Sequence, residues 1–288
     1  MTTLPPGSSP MPRSGAPSAP GTPPPGTDSH QYRRVAEGFG VDAGRYDRAR
    51  PGYPAGLTDR VVAASPGPDL LDVGCGTGIA SRLFAAAGCR VLGVDPDPRM
   101  AEMARDGGTD AEVATFEDWD ARGRMFDAVT AAQAWHWVDP VAGAAKAASV
   151  LRPGGLLAVF WNAMEPPAAL KEAFGAVYRR VMPEHPIAAG FWSRPAVDTY
   201  AAGGVRAADG MRAAGGFGEP QEWREPWERD YTRQEWLDMV PTLGGHSQFP
   251  PQVIAALLDG LGEAVDAAGG GFTMGYTTLA VVATRPAD

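Results

Sequence analysis

Two periods of apolar positions divide the chain. Residues 70–73, "LLDV", form a short apolar run that predicts a first strand, after which Ile79, Leu83 and Phe84 recur at helical spacing and Gly88 closes a helix. "RVLGVD" predicts a second strand ending at Asp95, and "DPRMAEMARD" a helix. "AEVAT" and "FDAVTAAQ" predict strands three and four, and "VAGAAKAASVL" the next helix. "RPGG" reads as a turn, and "LLAVFWN" as the fifth strand. Upstream, Leu57, Val61 and Val62 mark one face of a helix beginning near Pro54, after a break at Pro51. Downstream, "PPAALKEAFGAVYRRVM" predicts a helix and residues 183–217 a glycine- and alanine-rich insertion. "EWREPWERDY" then predicts a strand. In "TRQEW", Thr232 caps a helix and Glu235 reaches back to it. "PPQVIAALLDGLGEAV" predicts another helix. "GFTMGYTTLAVVATR" is a final strand, long enough to pair antiparallel with the one before it.

Strands alternating with helices of about 10 to 15 residues imply right-handed crossovers and an α/β, doubly wound, Rossmann-like sheet. Ligands on such sheets lie across the carboxyl ends of the strands. Asp72, Gly74, Gly78, Asp95, Thr115, Gln133 and Asn162 all fall at or just past such ends, which predicts a site there.

Composition narrows the ligand. The 288 residues, 44% hydrophobic, are enough to bury a full core. A formal net charge of -9 leaves no basic stripe, which argues against nucleic acid or an anionic membrane as partner and favours small molecules. Two cysteines, Cys75 and Cys89, support no disulfide framework and fit a cytoplasmic setting. No apolar run reaches the roughly 18 residues needed to cross a bilayer. Residues 1–28 are rich in proline, serine and glycine and are expected to be disordered. They read either as an inert start or as a proline-rich recognition tail.

The densest signal is "LLDVGCGTG" at 70–78, where Gly74, Gly76 and Gly78 leave the backbone bare for close approach of a ligand. A dinucleotide fingerprint would place its third glycine where Ile79 stands, so a nicotinamide oxidoreductase is the weaker reading. Asp72, two residues before the first glycine, suits a cationic ligand group better than a pyrophosphate. "DVGCGTG" resembles the first motif of the class I S-adenosylmethionine-dependent methyltransferases. "YDRARPGYP" at 46–54, "ATFEDW" at 114–119, "FDAVTAAQAWHWVDP" at 126–140, "LRPGG" at 151–155 and "VFWN" at 159–162 resemble successive motifs of the small-molecule branch that includes trans-aconitate and ubiquinone-type enzymes. The resemblance runs from Tyr32 to Arg285. It implies a domain over 29–288 with an N-terminal lid at 32–64, an acceptor-covering insertion at about 163–220, and a seven-stranded, mostly parallel sheet closed by an antiparallel C-terminal hairpin.

The same resemblance assigns roles. Gly74, Cys75 and Gly76 would lie under the methionine part of S-adenosylmethionine, with Gly78 completing the loop and Asp72 near the ammonium, directly or through water. Asp95 would hold the ribose hydroxyls. Pro96 and Met100 would wall the adenine on one side and Phe116 and Glu117 on the other. Gln133 and Ala134 would floor the sulfonium, and Tyr46 and Arg50 would fold over the methionine carboxylate. Several positions keep a structural reading: Asp72 as a turn cap, Met100 and Phe116 as core, Arg50 as a solvated loop charge, and Cys75 as small filler whose backbone matters.

His136, in "WHW", stands where the transferred methyl would emerge, and reads either as a general base or as a structural residue. Trp135, Trp137, Trp161 and Trp192 are candidate acceptor walls, or core. His185, His246, Tyr231 and Arg194 are further acceptor candidates, and no spacing among them makes a metal site. The expected activity is methyl transfer to an oxygen, nitrogen or carbon of a small metabolite. The alternative is a protein that binds the cofactor without transferring its methyl. Oligomeric state is not encoded in these patterns.

Overall fold

The computed structural model describes residues 37–185, 192 and 195–287. The proline-rich leader, the first residues of the expected lid, and Phe191 and Arg194 of the insertion lie outside the described residues. Seven strands form one sheet in the order β3-β2-β1-β4-β5-β7-β6. They are β1 (Asp69–Val73), β2 (Arg90–Asp95), β3 (Asp110–Val113), β4 (Phe126–Ala132), β5 (Leu151–Glu165), β6 (Gln221–Thr232) and β7 (Gly271–Thr284). The first five pair in parallel, while β7 runs antiparallel to both β5 and β6. The doubly wound, mostly parallel sheet expected from the alternation is therefore present.

The helices follow the apolar periods. They are α1 (Ala43–Ala49), α2 (Ala55–Ala64), α3 (Ile79–Ala86), α4 (Pro98–Asp106), α5 (Pro140–Val150), α6 (Ala168–Val181), α7 (Ala196–Ala214), α8 (Arg233–Met239) and α9 (Pro251–Ala267). Both Thr232–Glu235 contacts of the capping box at α8 are made. One apolar cluster joins β1, β2, β4 and β5 to α5 and α7. A second, built on Phe174, Tyr178, Trp236, Leu257 and Leu261, holds α6, α8 and α9 together.

One expectation needs correction. "RPGG" is not a turn, because residues 151–165 run as one strand, irregular where its register against β4 shifts. The Gly154 amide donates to the Arg285 carbonyl and the Arg285 amide to the Gly155 carbonyl, so the far end of β7 keeps this stretch in the sheet. Within the 183–217 insertion, Ala196–Ala214 form α7, packed on β5, β7 and α5. Two of its glycines, Gly204 and Gly210, are contact points. A Cβ on Gly210 would stand 2.3 Å from the Pro140 carbonyl oxygen, where only hydrogen fits. Gly210→Ala is therefore expected to force α7 off α5 and cost on the order of 1–3 kcal/mol. Thermal unfolding checks this, and an unchanged or higher Tm would show that the two helices are not held at this point.

Candidate active site

The turn after β1 carries the site. Gly74, Gly76 and Gly78 have φ of 65, 56 and 84°, the left-handed region that other residues enter at a cost. The Gly74 and Cys75 amides both donate to the Val94 carbonyl at the end of β2, tying the loop to the neighbouring strand tip. Gly78 then caps α3. The Cys75 side chain packs against Gly93, whose Cβ would come within 2.6 Å of its sulfur. Burial holds that thiol well above its ordinary pKa, so Cys75 contributes backbone and filling volume rather than a nucleophile.

Two cavities meet at this loop. The larger, about 800 Å³ including its open mouth, is lined by Gly74, Gly76, Asp95, Pro96, Met100, Phe116, Glu117, Gln133, Ala134 and Trp137, among others. That volume suits a ligand of nucleoside size. The smaller, about 410 Å³ on the same measure, is lined by Tyr46, Arg50, Tyr53, Gly74, Cys75, Gly76, Thr77, Gln133 and Asn162. The structure thus brings twelve of the fourteen expected cofactor residues onto the cavity walls.

Asp72 and Gly78 are the two it does not. Asp72 is fully buried beneath the loop, where Ser81 and Thr130 donate to its two oxygens at 2.6 and 3.1 Å. Thr130 is its register partner on β4. Burial raises the Asp72 pKa to about 6, against those hydrogen bonds.

Asp95, 8% exposed, takes one backbone amide on each oxygen, Gly76 at 2.9 Å and Asp97 at 2.9 Å. Burial outweighs these bonds and raises its pKa to about 6. A carboxylate kept at a strand tip against that cost, with acceptor capacity left on each oxygen, suits hydroxyl donors from a ligand.

Gln133 has φ 56°, rare for a side chain with a Cβ, and its amide donates to the Phe160 carbonyl. That bend turns the chain off the tip of β4 and sets Gln133 against both cavities and Ala134 against the larger one.

Above the loop, Phe39 and Tyr46 meet edge to face at 5.8 Å and close the larger cavity. Arg82 of α3 reaches both the Thr77 carbonyl and Asp47 of α1, each at 2.7 Å, clamping α1 to the glycine loop. Arg50 lies over the Tyr46 ring at 5.3 Å and has no carboxylate partner among the described residues. The Thr77 hydroxyl, buried in the same wall, has no hydrogen-bond partner among them either. An unneutralised guanidinium beside an unsatisfied hydroxyl fits the carboxylate end of an amino acid. A carboxylate-lined nucleoside cavity joined to it completes a fit to S-adenosylmethionine.

Thr77 and Phe39 were not singled out by the sequence. Thr77 could have been, as the one hydroxyl in the loop; Phe39 carries no local signal.

The acceptor candidates separate. Trp137 lines the larger cavity. Trp135 is core, tilted against Phe116 at 6.2 Å. Trp192 packs with Phe174 and Trp236. Trp161 is buried in β5 and donates from Nε1 to Nδ1 of His136 at 3.2 Å. His246 is buried against Tyr178, with Nε2 to OH at 2.8 Å, so its role is structural, and the Tyr231 and Tyr276 hydroxyls share a 2.6 Å hydrogen bond. His185 stacks edge-on against Phe249. No group of histidine, cysteine or carboxylate side chains suited to a metal occurs among the described residues.

Indole only donates, so Nδ1 of His136 is the acceptor, and in the neutral ring the proton sits on Nε2. Burial, reinforced by Arg206 and Arg50, lowers the pKa of His136 to about 4. His136 is then a hydrogen-bond donor through Nε2 at neutral pH, and the general-base reading loses its lone pair. In a two-dimensional NMR experiment, Nδ1 is expected to be unprotonated and the ring not to titrate between about pH 5.5 and 8. A midpoint near its ordinary value, or a proton on Nδ1, would restore the base.

The strand order and crevice are those of a class I methyltransferase, and comparison with known proteins agrees. A methyltransferase-domain family model matches residues 71–159. An uncharacterized methyltransferase of Mycobacterium tuberculosis is 30% identical over 259 residues, spanning 88% of this chain and 97% of the relative. A ubiquinone biosynthesis O-methyltransferase of Xanthomonas campestris is 35% identical over 130 residues, 42% of this chain and 54% of that protein. A solved structure described as a candidate type II methyltransferase from Anaeromyxobacter dehalogenans superposes with a TM-score of 0.58 at 22% identity, covering 83% of this chain and 99% of the other, and so shares the fold. The chain belongs to the class I S-adenosylmethionine-dependent methyltransferase family. Among the described residues no helix is long and apolar enough to cross a membrane.

Proposed function

We propose that this enzyme transfers the methyl group of S-adenosylmethionine to an oxygen, nitrogen or carbon of a small metabolite. The observation that carries this reading is the pair of joined cavities at the tips of β1, β2 and β4, one with a buried carboxylate and the other with an unneutralised arginine. When bound, S-adenosylmethionine supplies a sulfonium methyl that needs an aligned nucleophile more than acid or base help.

The chain's own residues do the rest. Asp95 accepts the ribose hydroxyls. Met100 and Phe116, both buried, hold the adenine between apolar walls, with Pro96 and Glu117 completing them. Arg50 and Thr77 receive the methionine carboxylate. Asp72 acts through Ser81 and Thr130 by fixing the loop, since its carboxyl is closed off from the cavities. Gln133 and Ala134 form the floor from which the methyl leaves. Tyr46 and Phe39 keep water out from above. Alignment of acceptor and methyl in such a dry pocket supplies on the order of 7–11 kcal/mol of barrier lowering.

Calorimetric titration with S-adenosylhomocysteine tests the cofactor assignment: saturable heat supports it, and none at millimolar ligand rejects it. Labelled cofactor incubated with candidate metabolites tests transfer, because only a transferase releases S-adenosylhomocysteine in proportion to product.

A further inference from the structure

Asn162 is nearly fully buried near the carboxyl end of β5, and its contacts run in one direction through three strands. Trp227 of β6 donates from Nε1 to the Thr278 hydroxyl at 2.9 Å. Thr278 of β7, the register partner of Asn162, donates to its Oδ1 at 2.7 Å. Asn162 Nδ2 then donates to the Gly52 carbonyl at 2.9 Å. Because indole can only donate, the hydroxyl must pass its own proton onward, and this fixes which end of the Asn162 amide faces Gly52.

Gly52 lies between Arg50 and Tyr53, in the stretch that joins α1 to α2 without regular structure. Among the described residues, the bond from Asn162 is the one hydrogen bond made by the backbone of residues 51–53. Arg50, Tyr53 and Asn162 all line the smaller cavity, and the Tyr53 ring rests edge-on against Phe160 at 5.0 Å.

We propose that Asn162, oriented by Thr278 and Trp227, is a positioning residue that holds Arg50 against the smaller cavity and so governs binding of the amino-acid end of the cofactor, separately from its nucleoside end. This rests on the reading that the two cavities hold those two ends.

The test compares two probes by calorimetry. S-Adenosylhomocysteine carries the amino-acid tail, and 5′-methylthioadenosine lacks it. Asn162→Ala is expected to weaken S-adenosylhomocysteine about tenfold, the scale of one lost charge-assisted contact, and to change 5′-methylthioadenosine by less than about twofold. Thr278→Val should act in the same direction and Thr278→Ser should restore binding, which keeps the test open if Asn162→Ala does not fold. Added to Arg50→Ala, Asn162→Ala should cause little further loss, as coupled residues do. Equal weakening of both probes, or no weakening of either, would overturn the positioning role. A wild-type chain that binds neither probe would instead overturn the cofactor reading beneath it.

Discussion

Gly74→Ala is expected to weaken S-adenosylhomocysteine about 100-fold or more in a chain that still folds. Two independent costs meet at this position. The backbone there has φ 65°, which costs a residue with a Cβ about 1–2 kcal/mol. The added methyl would also stand 2.4 Å from the Ala134 Cβ, well inside the roughly 3.5–4.0 Å of a relaxed carbon contact. Relief requires the tips of β1 and β4 to move apart, and both line the cavities. Gly76→Ala is the informative partner, since its Cβ would meet nothing within 4 Å and its penalty is backbone strain alone. Calorimetry with S-adenosylhomocysteine and thermal unfolding of both variants read this out. Affinity within about twofold of wild type for Gly74→Ala would mean the loop has room that the structure denies it.

Asp95→Ala carries the second large effect. It removes the ribose acceptor and leaves the Gly76 and Asp97 amides without their partner, so S-adenosylhomocysteine should bind about 1–3 kcal/mol more weakly, roughly five- to 150-fold. Unchanged affinity would take Asp95 out of the site. The pH dependence has a definite sign. Burial lifts the Asp95 pKa from 3.8 to about 6, so the folded chain holds this proton more tightly than the unfolded one. Its contribution to stability therefore worsens as pH rises from about 4 to about 6 and is constant above that. Ligand binding runs the other way, because hydroxyl donors need the ionised acceptor. Affinity should fall as pH drops below about 6, by up to about tenfold per unit. Asp95→Asn should flatten that profile, which separates Asp95 from Asp72, also raised to about 6. A profile unaltered by Asp95→Asn would assign the proton elsewhere.

The elements that bear the site were legible because each is a local signal. The run into Gly74, the acid ending β2 and the 3.6-residue periods of α3 and α4 depend on neighbours within a few positions. What escaped depends on distant partners. "RPGG" has turn chemistry, yet Arg285 holds it in the sheet. In α7, Gly204 touches Leu279 and Val281 and Gly210 touches Pro140, so small residues mark its buried face and an apolar period does not. Trp135 and Trp161 suggested an acceptor wall because aromatic residues cluster there in sequence, but the sheet takes both into its core. Asn162 was placed at a strand tip without a role, since the Gly52 carbonyl it meets is 110 positions away.

The strand order also constrains assembly. β7 is the seventh strand in sequence but sits between β5 and β6, and β6 pairs with β7 alone. During synthesis, residues 156–165 of β5 therefore present an apolar, unpaired border until residue 284 has emerged. β6 has nothing to dock on in that interval, and the nascent chain is open to mispairing with another copy.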